Sequence, residues 1–149
     1  MGFATPSLKG RALRLLSGRE YSRLELERKL IAFEEEPGSL AVALDDLQAK
    51  GFISEQRVLE SVVNRRASKL GASRIKQELQ GKGLDPQAVA DAVKALRATE
   101  LARARDVWQR KFGQAPEDAS QRAKQMRFLA GRGFGGDTIR RVVAGADDE

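Results

Sequence analysis

The chain has 149 residues, 41% hydrophobic and 32% charged, with a net charge of +6 and neither histidine nor cysteine. That composition suits a folded helical protein. It excludes disulfides, thiol nucleophiles, histidine acid–base chemistry and the usual zinc sites. No apolar run approaches the roughly 18 residues of a transmembrane helix, and MGFATPSLKG lacks a signal-peptide core, so a cytoplasmic protein is expected.

Residues 1–8 read as a frayed lead. The spacing predicts a first helix over Leu8 to Ser17, with Ala12, Leu13, Leu15 and Leu16 on its buried side. Ser22 opens a second helix. Glu25 follows three residues on, a capping box in which each side chain satisfies the other's backbone N–H. Leu24, Leu26, Leu30 and Phe33 are its apolar positions. Glu34-Glu35-Glu36-Pro37-Gly38 is a solvated turn. Ser39 caps a third helix with Leu40, Ala43, Leu44 and Leu47 inward, ending at Gly51.

Lys50 to Leu84 reads as a helix-turn-helix. Ser54 caps a helix whose apolar face is Val58, Leu59, Val62, Val63, Ala67 and Leu70. Gly71 ends it in the left-handed conformation open to glycine. Ser73 starts a shorter helix with Ile75 and Leu79 inward, stopped by Gly81 and Gly83. Asp85-Pro86 starts a sixth, with Ala88, Val89, Ala92, Val93 and Leu96 as its stripe. Leu101, Ala104, Trp108 and Phe112 mark a seventh. Pro116-Glu117-Asp118 opens an eighth, with Ala119, Ala123, Met126 and Leu129 inward. Asp137 caps a ninth, with Ile139, Val142 and Val143 buried. Gly145 to Glu149 is a disordered acidic tail.

The nine helices fall into three groups. The fold is therefore all-α: three tandem three-helix, helix-turn-helix-like repeats over residues 1–53, 54–98 and 99–143, in an elongated, curved array, followed by an acidic tail over 144–149. Internal similarity supports the grouping. Ile75, Leu79, Leu84, Val89 and Val93 align, fifty positions later, with Gln125, Leu129, Phe134, Ile139 and Val143. Lys82-Gly83-Leu84 matches Arg132-Gly133-Phe134, and Leu26 and Leu30 match Ile75 and Leu79.

Charge is unevenly placed. Residues 1–53 hold eight basic and eight acidic side chains, residues 54–98 nine and five, residues 99–143 ten and five, and the tail three acids. A mixed Lys/Arg helix surface is most often a solvated face. Here the bias is sustained over residues 54–143, which suits an anionic partner. The candidate binding positions are Arg65, Arg66, Lys69, Arg74, Lys76 and Lys82, then Arg103, Arg105, Arg110 and Lys111. Arg122, Lys124, Arg127, Arg132, Arg140 and Arg141 complete the set. Arginine predominates in the later part, which suits carboxylate or phosphate recognition by a planar fork.

Gly131-Arg132-Gly133-Phe134-Gly135-Gly136 has neither the strand nor the Lys-Ser/Thr of a P-loop. It reads as an interhelical corner, with Phe134 matching core residue Leu84, in preference to an RGG-type stacking element. Trp108 reads as core rather than a base-stacking platform. Glu34 to Glu36, Asp45 and Asp46 read as solvated, with no pocket to shift a pKa. No catalytic constellation, metal site or cofactor is indicated.

These residues together resemble the RecX family, bacterial regulators of the RecA recombinase. The matching pieces begin with Ala12 to Ser22, Glu25 to Leu30, and Leu47 with Gly51-Phe52-Ile53. They continue with Val62 and Arg65, Gly71 with Ile75 and Glu78-Leu79, Lys82-Gly83, and Lys124 with Leu129 and Gly131 to Phe134. The resemblance covers nearly the whole chain apart from its ends. It implies three tandem three-helix repeats and a non-enzymatic protein. It also implies lodging in the groove of the RecA–DNA filament, restraining ATP hydrolysis and strand exchange, and so regulating recombination, DNA repair and the SOS response. It transfers no individual contact residue. The expected partners are the RecA filament and single- or double-stranded DNA, engaged by a monomer. A helix-turn-helix protein reading duplex DNA directly is the alternative. Membrane binding ranks last, because the basic residues are spread over several helices.

Overall fold

Nine α-helices and one 3-10 turn make up the regular structure of the computed structural model, which describes residues 5–145; no strand occurs among them. Residues 1–4 of the expected lead and 146–149 of the expected tail lie outside the described residues. The helices are α1 (Leu8–Leu16), α2 (Arg23–Leu30), α3 (Ser39–Ala49), α4 (Glu55–Arg66), α5 (Ala72–Gly81), α6 (Pro86–Ala98), α7 (Glu100–Lys111), α8 (Ala119–Gly131) and α9 (Gly136–Val143). The 3-10 turn is Ile31–Phe33. Two compact units result: Met1–Ser61 with Gly81–Asp85, and Val62–Gln80 with Pro86–Glu149.

In the first unit, Ala12, Tyr21, Leu26, Leu30, Leu40, Leu44, Leu47 and Ile53 form one core. Burying each large aliphatic side chain contributes about 1.5–3 kcal/mol, so this cluster supplies most of the unit's cohesion. Ser7 caps α1 by accepting the Gly10 N–H at 2.9 Å. Leu13, expected inside, is 36% exposed, because it sits one position from the Ala12 seam. Phe33 is also exposed: its ring lies under the Arg11 guanidinium, 3.8 Å from the ring centroid. Gly38, at φ 90°, is the N-cap of α3 in place of Ser39, whose hydroxyl donates back to the Glu36 carbonyl. Glu34 is not simply solvated, since its carboxylate accepts the Leu40 N–H at 3.0 Å.

The capping box at α2 is present as the sequence predicts, and Glu25 does more than close it. Its carboxylate accepts the Ser22 N–H at 2.9 Å, Arg19 Nη2 at 2.9 Å and Lys82 Nζ at 3.0 Å. Lys82 thereby ties the Gly81–Asp85 corner to this unit. Leu24 packs there so closely that a Cβ on Gly83, at φ 71°, would lie 2.7 Å from its Cδ2. Asp45 and Asp46 are paired rather than free. Arg23 reaches Asp45 at 2.6 Å, while Lys9 and Lys50 lie 2.6 and 2.9 Å from Asp46 and hold its carboxyl below the usual range.

In the second unit, Ala104, Val107, Leu129, Phe134, Ile139, Val142 and Val143 form a core shared by α7, α8 and α9. α4, whose residues up to Ser61 belong to the first unit, starts after Ser54, whose Oγ accepts the Arg57 N–H at 3.2 Å, and ends at Arg66, so Ala67 and Leu70 lie beyond it. α5 begins at Ala72, which leaves Ser73 exposed inside its first turn. Ala119 is exposed, and Asp118 caps α8 through the Gln121 N–H. Gly135 is the N-cap of α9, and Asp137 instead pairs with Arg140 in the first turn.

The fifty-residue sequence repeat is a burial repeat. Ile75, Leu79, Leu84, Val89 and Val93, and their counterparts Gln125, Leu129, Phe134, Ile139 and Val143, are all 7% exposed or less. Gly83 and Gly133 both take positive φ, at 71° and 92°.

Burial alone would raise the Glu25 pKa, but hydrogen bonds from Arg19, the Ser22 N–H and Lys82 lower it from 4.5 to about 2. A carboxyl depressed in the folded state stabilises fully above its unfolded pKa, and that contribution is lost as pH falls through the folded value. Glu25→Gln should therefore lower stability by about 1–2 kcal/mol at pH 7. In urea melts read by circular dichroism, its difference from the parent should shrink below pH 4.5 and vanish near pH 2.

Candidate functional site

Glu100 opens α7 and is 5% exposed. Its Oε1 accepts the Ala72 N–H at 2.7 Å and its Oε2 accepts the Gly135 N–H at 3.2 Å. Ala72 is the first residue of α5 and Gly135 the N-cap of α9. Helix starts carry unsatisfied N–H donors and partial positive charge, so one carboxylate serves two of them.

The segments leading into those helices then meet backbone to backbone. Gly71 N–H donates to the Arg132 carbonyl at 2.8 Å, and Ser73 N–H to the Gly133 carbonyl at 3.3 Å. A Cβ at Gly71 would lie 2.3 Å from the Gly133 oxygen. The glycine at 71 therefore serves this close approach. It does not end α4, and it is not among the glycines with positive φ. Arg103, one turn along α7, closes the junction from inside by donating to the carbonyls of Ala67 at 2.9 Å and of Leu70 and Leu96 at 2.7 Å. Burial pushes its guanidinium pKa down, against the opposing pull of Glu100.

Beside this junction lies a cleft of about 480 Å³ lined by Arg66, Lys69, Arg74, Arg132 and Glu78, with Leu70 and Gln77. Four cations face one carboxylate. Glu78 is already engaged, 3.0 Å from Arg66 Nε and 4.0 Å from Arg65 Nη2. Arg74 donates to the Gly131 carbonyl, and the Arg132 guanidinium lies 4.9 Å over the Phe128 ring. These contacts fix two guanidinium groups at the mouth, while Lys69 remains exposed. The arrangement suits an anion with several oxygens, a phosphodiester or a carboxylate pair.

The other basic positions predicted from sequence are not gathered there. Arg65, Lys76, Arg122, Lys124, Arg127 and Arg141 are exposed and dispersed over α4, α5, α8 and α9. Arg110 is exposed and donates to the Ser68 carbonyl at 2.6 Å, and Lys111 lies 5.4 Å from the Phe128 centroid. Arg140 pairs with Asp137, and Arg105 is half-buried. Two expected outward positions are corrected. Arg103 is consumed by carbonyls. Lys82, whose side chain is 13% exposed, is consumed by Glu25.

Trp108 is packed on the second-unit core, as its spacing predicts, and its indole N–H donates to Gln125 Oε1 at 2.8 Å. Gln125 is buried and passes the chain on to the Gln114 carbonyl at 3.0 Å. Phe134 is 5% exposed, a core residue and not a stacking platform. Sequence reasoning missed Glu100 and Gln125. The signal was available: Glu100 shares the buried i, i+4, i+7 register with Ala104 and Val107, and Gln125 stands where the aligned repeat has Ile75. Among the described residues, no group of three or more Asp or Glu is placed to hold a metal ion, and no helix is long and apolar enough to cross a membrane.

Two family models match this chain: the second three-helix domain of RecX over residues 54–93 and the third over residues 98–143. The regulatory protein RecX of Leptothrix cholodnii is 53% identical over 143 residues, covering 96% of this chain and 91% of that protein. The chain belongs to the RecX family. The regulatory protein RecX of Herminiimonas arsenicoxydans is 49% identical over 142 residues, 95% of this chain and 94% of its own length. The fold recurs in a crystal structure of regulatory protein RecX, with TM-score 0.74 at 19% identity over 93% of this chain and 72% of that one. It recurs again in RecX from Lactobacillus salivarius, with TM-score 0.70 at 22% identity over 94% of each chain. The family is thus one of all-helical regulatory proteins built from three-helix domains.

The double cap makes Glu100 a sensitive position. Glu100→Gln keeps the shape but turns an amide N–H₂ towards one of two backbone donors, which should cost about 2–3 kcal/mol in urea unfolding. Gly71→Ala should be at least as costly, because its Cβ meets backbone that cannot rotate away.

Proposed function

We propose that the chain is a non-enzymatic regulator of RecA in the bacterial cytoplasm. It lodges in the groove of the RecA–DNA filament, presents the Arg66, Lys69, Arg74 and Arg132 cleft to an anionic surface, and slows ATP hydrolysis and strand exchange. The observation that carries this reading is the cleft itself, four cations held against one already-paired carboxylate, in a chain of the RecX family. A filament of protein on nucleic acid offers both phosphates and carboxylates to such a site. The three repeats over 1–53, 54–98 and 99–143 are the modules we assign to this task, with contact concentrated in the latter two, where the net positive charge lies.

The test is a matched pair of variants. Lys69→Ala with Arg132→Ala removes two cleft charges, whereas Lys94→Ala with Arg97→Ala removes two exposed charges of α6 away from it. Surface changes of this kind usually stay within about 0.5 kcal/mol each, so both variants should fold. The parent should slow DNA-dependent ATP hydrolysis by RecA. The cleft variant should need at least tenfold more protein for the same effect. If the cleft meets phosphate, its salt slope should flatten by about 0.7–0.9 per lost contact. Equal losses from the α6 pair would refute the cleft as the contact. A sequence-specific footprint on naked duplex without recombinase would favour direct DNA reading instead.

A further inference from the structure

The first 53 residues have balanced charges, but the structure sorts them. Glu20 is held by Arg57, Glu25 by Arg19 and Lys82, Glu27 and Asp45 by Arg23, and Asp46 by Lys9 and Lys50. Arg11, Arg14 and Lys29 form no ion pair among the described residues. All three line one cleft of about 320 Å³ whose floor is Leu15, Leu30 and Phe33, and no carboxylate lines it. Helix geometry builds it. Arg11, Arg14 and Leu15 share one face of α1 at i, i+3 and i+4, while Lys29, Leu30 and Phe33 come from the end of α2 and the turn after it. A locally neutral segment thus carries a cationic rim around an apolar floor.

We infer that this cleft is a docking site for an acidic peptide segment carrying one large apolar side chain, held by the rim while that side chain fills the floor. The volume suits a single aromatic or branched side chain. Charge complementarity selects the flanking acids. Nucleic acid fits less well: Arg11 already covers one face of Phe33, the only ring of the floor, and Leu15 and Leu30 offer no partner to a base's polar edge. Residues 1–4, Met-Gly-Phe-Ala, supply an apolar side chain but no carboxylate.

The probes are the hexapeptide DDEFED, its glycine analogue DDEGED and the basic KKRFRK, titrated into the full ¹⁵N-labelled chain by NMR. DDEFED should shift Arg11, Leu15 and Lys29 amides. DDEGED should bind at least fivefold more weakly, and KKRFRK should leave those amides unmoved. Arg14→Glu with Lys29→Glu, and separately Phe33→Ala, all exposed positions, should each weaken DDEFED at least tenfold with the remaining spectrum preserved. Four results would overturn the inference. One is equal affinity for DDEGED; a second is shifts centred on Lys69, Arg74 and Arg132 instead. The third is tighter occupation of the α1 cleft by oligothymidylate or anionic vesicles. The fourth is a tenfold gain on deleting residues 1–4, which would make the chain's own start the occupant.

Discussion

The Glu100 carboxylate holds the start of α5 and the start of α9 at hydrogen-bonding distance from one another. Much of the second unit follows from that arrangement. Two helix starts with converging N–H groups would repel each other in an apolar setting. A buried carboxylate turns the same dipoles into a joint. Once those starts are joined, the preceding segments must pass within backbone contact, which only glycine permits at position 71. Arg74, in the first turn of α5, and Arg132, just before α9, are then brought to one mouth together with Arg66 and Lys69. The joint is electrostatic and buried, while the cleft it shapes is cationic and open.

Glu25 plays a comparable part in the first unit. It closes a helix cap, and through Lys82 it recruits a corner distant in sequence. In both units an acid is placed where donors converge, and the nearby cations are divided into two kinds. Arg103 and Lys82 spend their charge on internal acceptors. Arg66, Lys69, Arg74 and Arg132, and in the other unit Arg11, Arg14 and Lys29, line open clefts. Recognition depends on which cations are gathered at an open cleft, and net charge per segment does not report that. Residues 1–53 are neutral in sum, yet three of their cations stand together without a carboxylate.

Periodicity and punctuation carried most of the fold. The capping box at Ser22, the Asp85-Pro86 start of α6, and the apolar stripes of α5, α6 and α9 are local features, and the helices form where those features place them. The fifty-residue repeat also foretold burial position by position, because a core position is defined by its register on a helix. Departures came where a residue's role depends on what faces it. Phe33 fits an apolar register but lies under Arg11 at the surface. Ser39 has cap chemistry, but Gly38 takes the cap because the chain turns there with positive φ.

By itself, the sequence determined the all-helical class, the neighbourhood in which each helix begins, most of each apolar register, and the excess of basic residues after position 53. These are set within a few residues along the chain, by backbone hydrogen bonding and side-chain period. The tertiary structure alone decided that Gly71 meets Gly133, that Glu100 caps two helices, and which basic residues line clefts rather than fill the interior. Those outcomes depend on groups far apart in sequence meeting in space, from 28 residues for Ala72 and Glu100 to 62 for Gly71 and Gly133 (133 − 71). A buried carboxylate finds its donors only when distant helix starts converge on it, and no local pattern encodes that convergence.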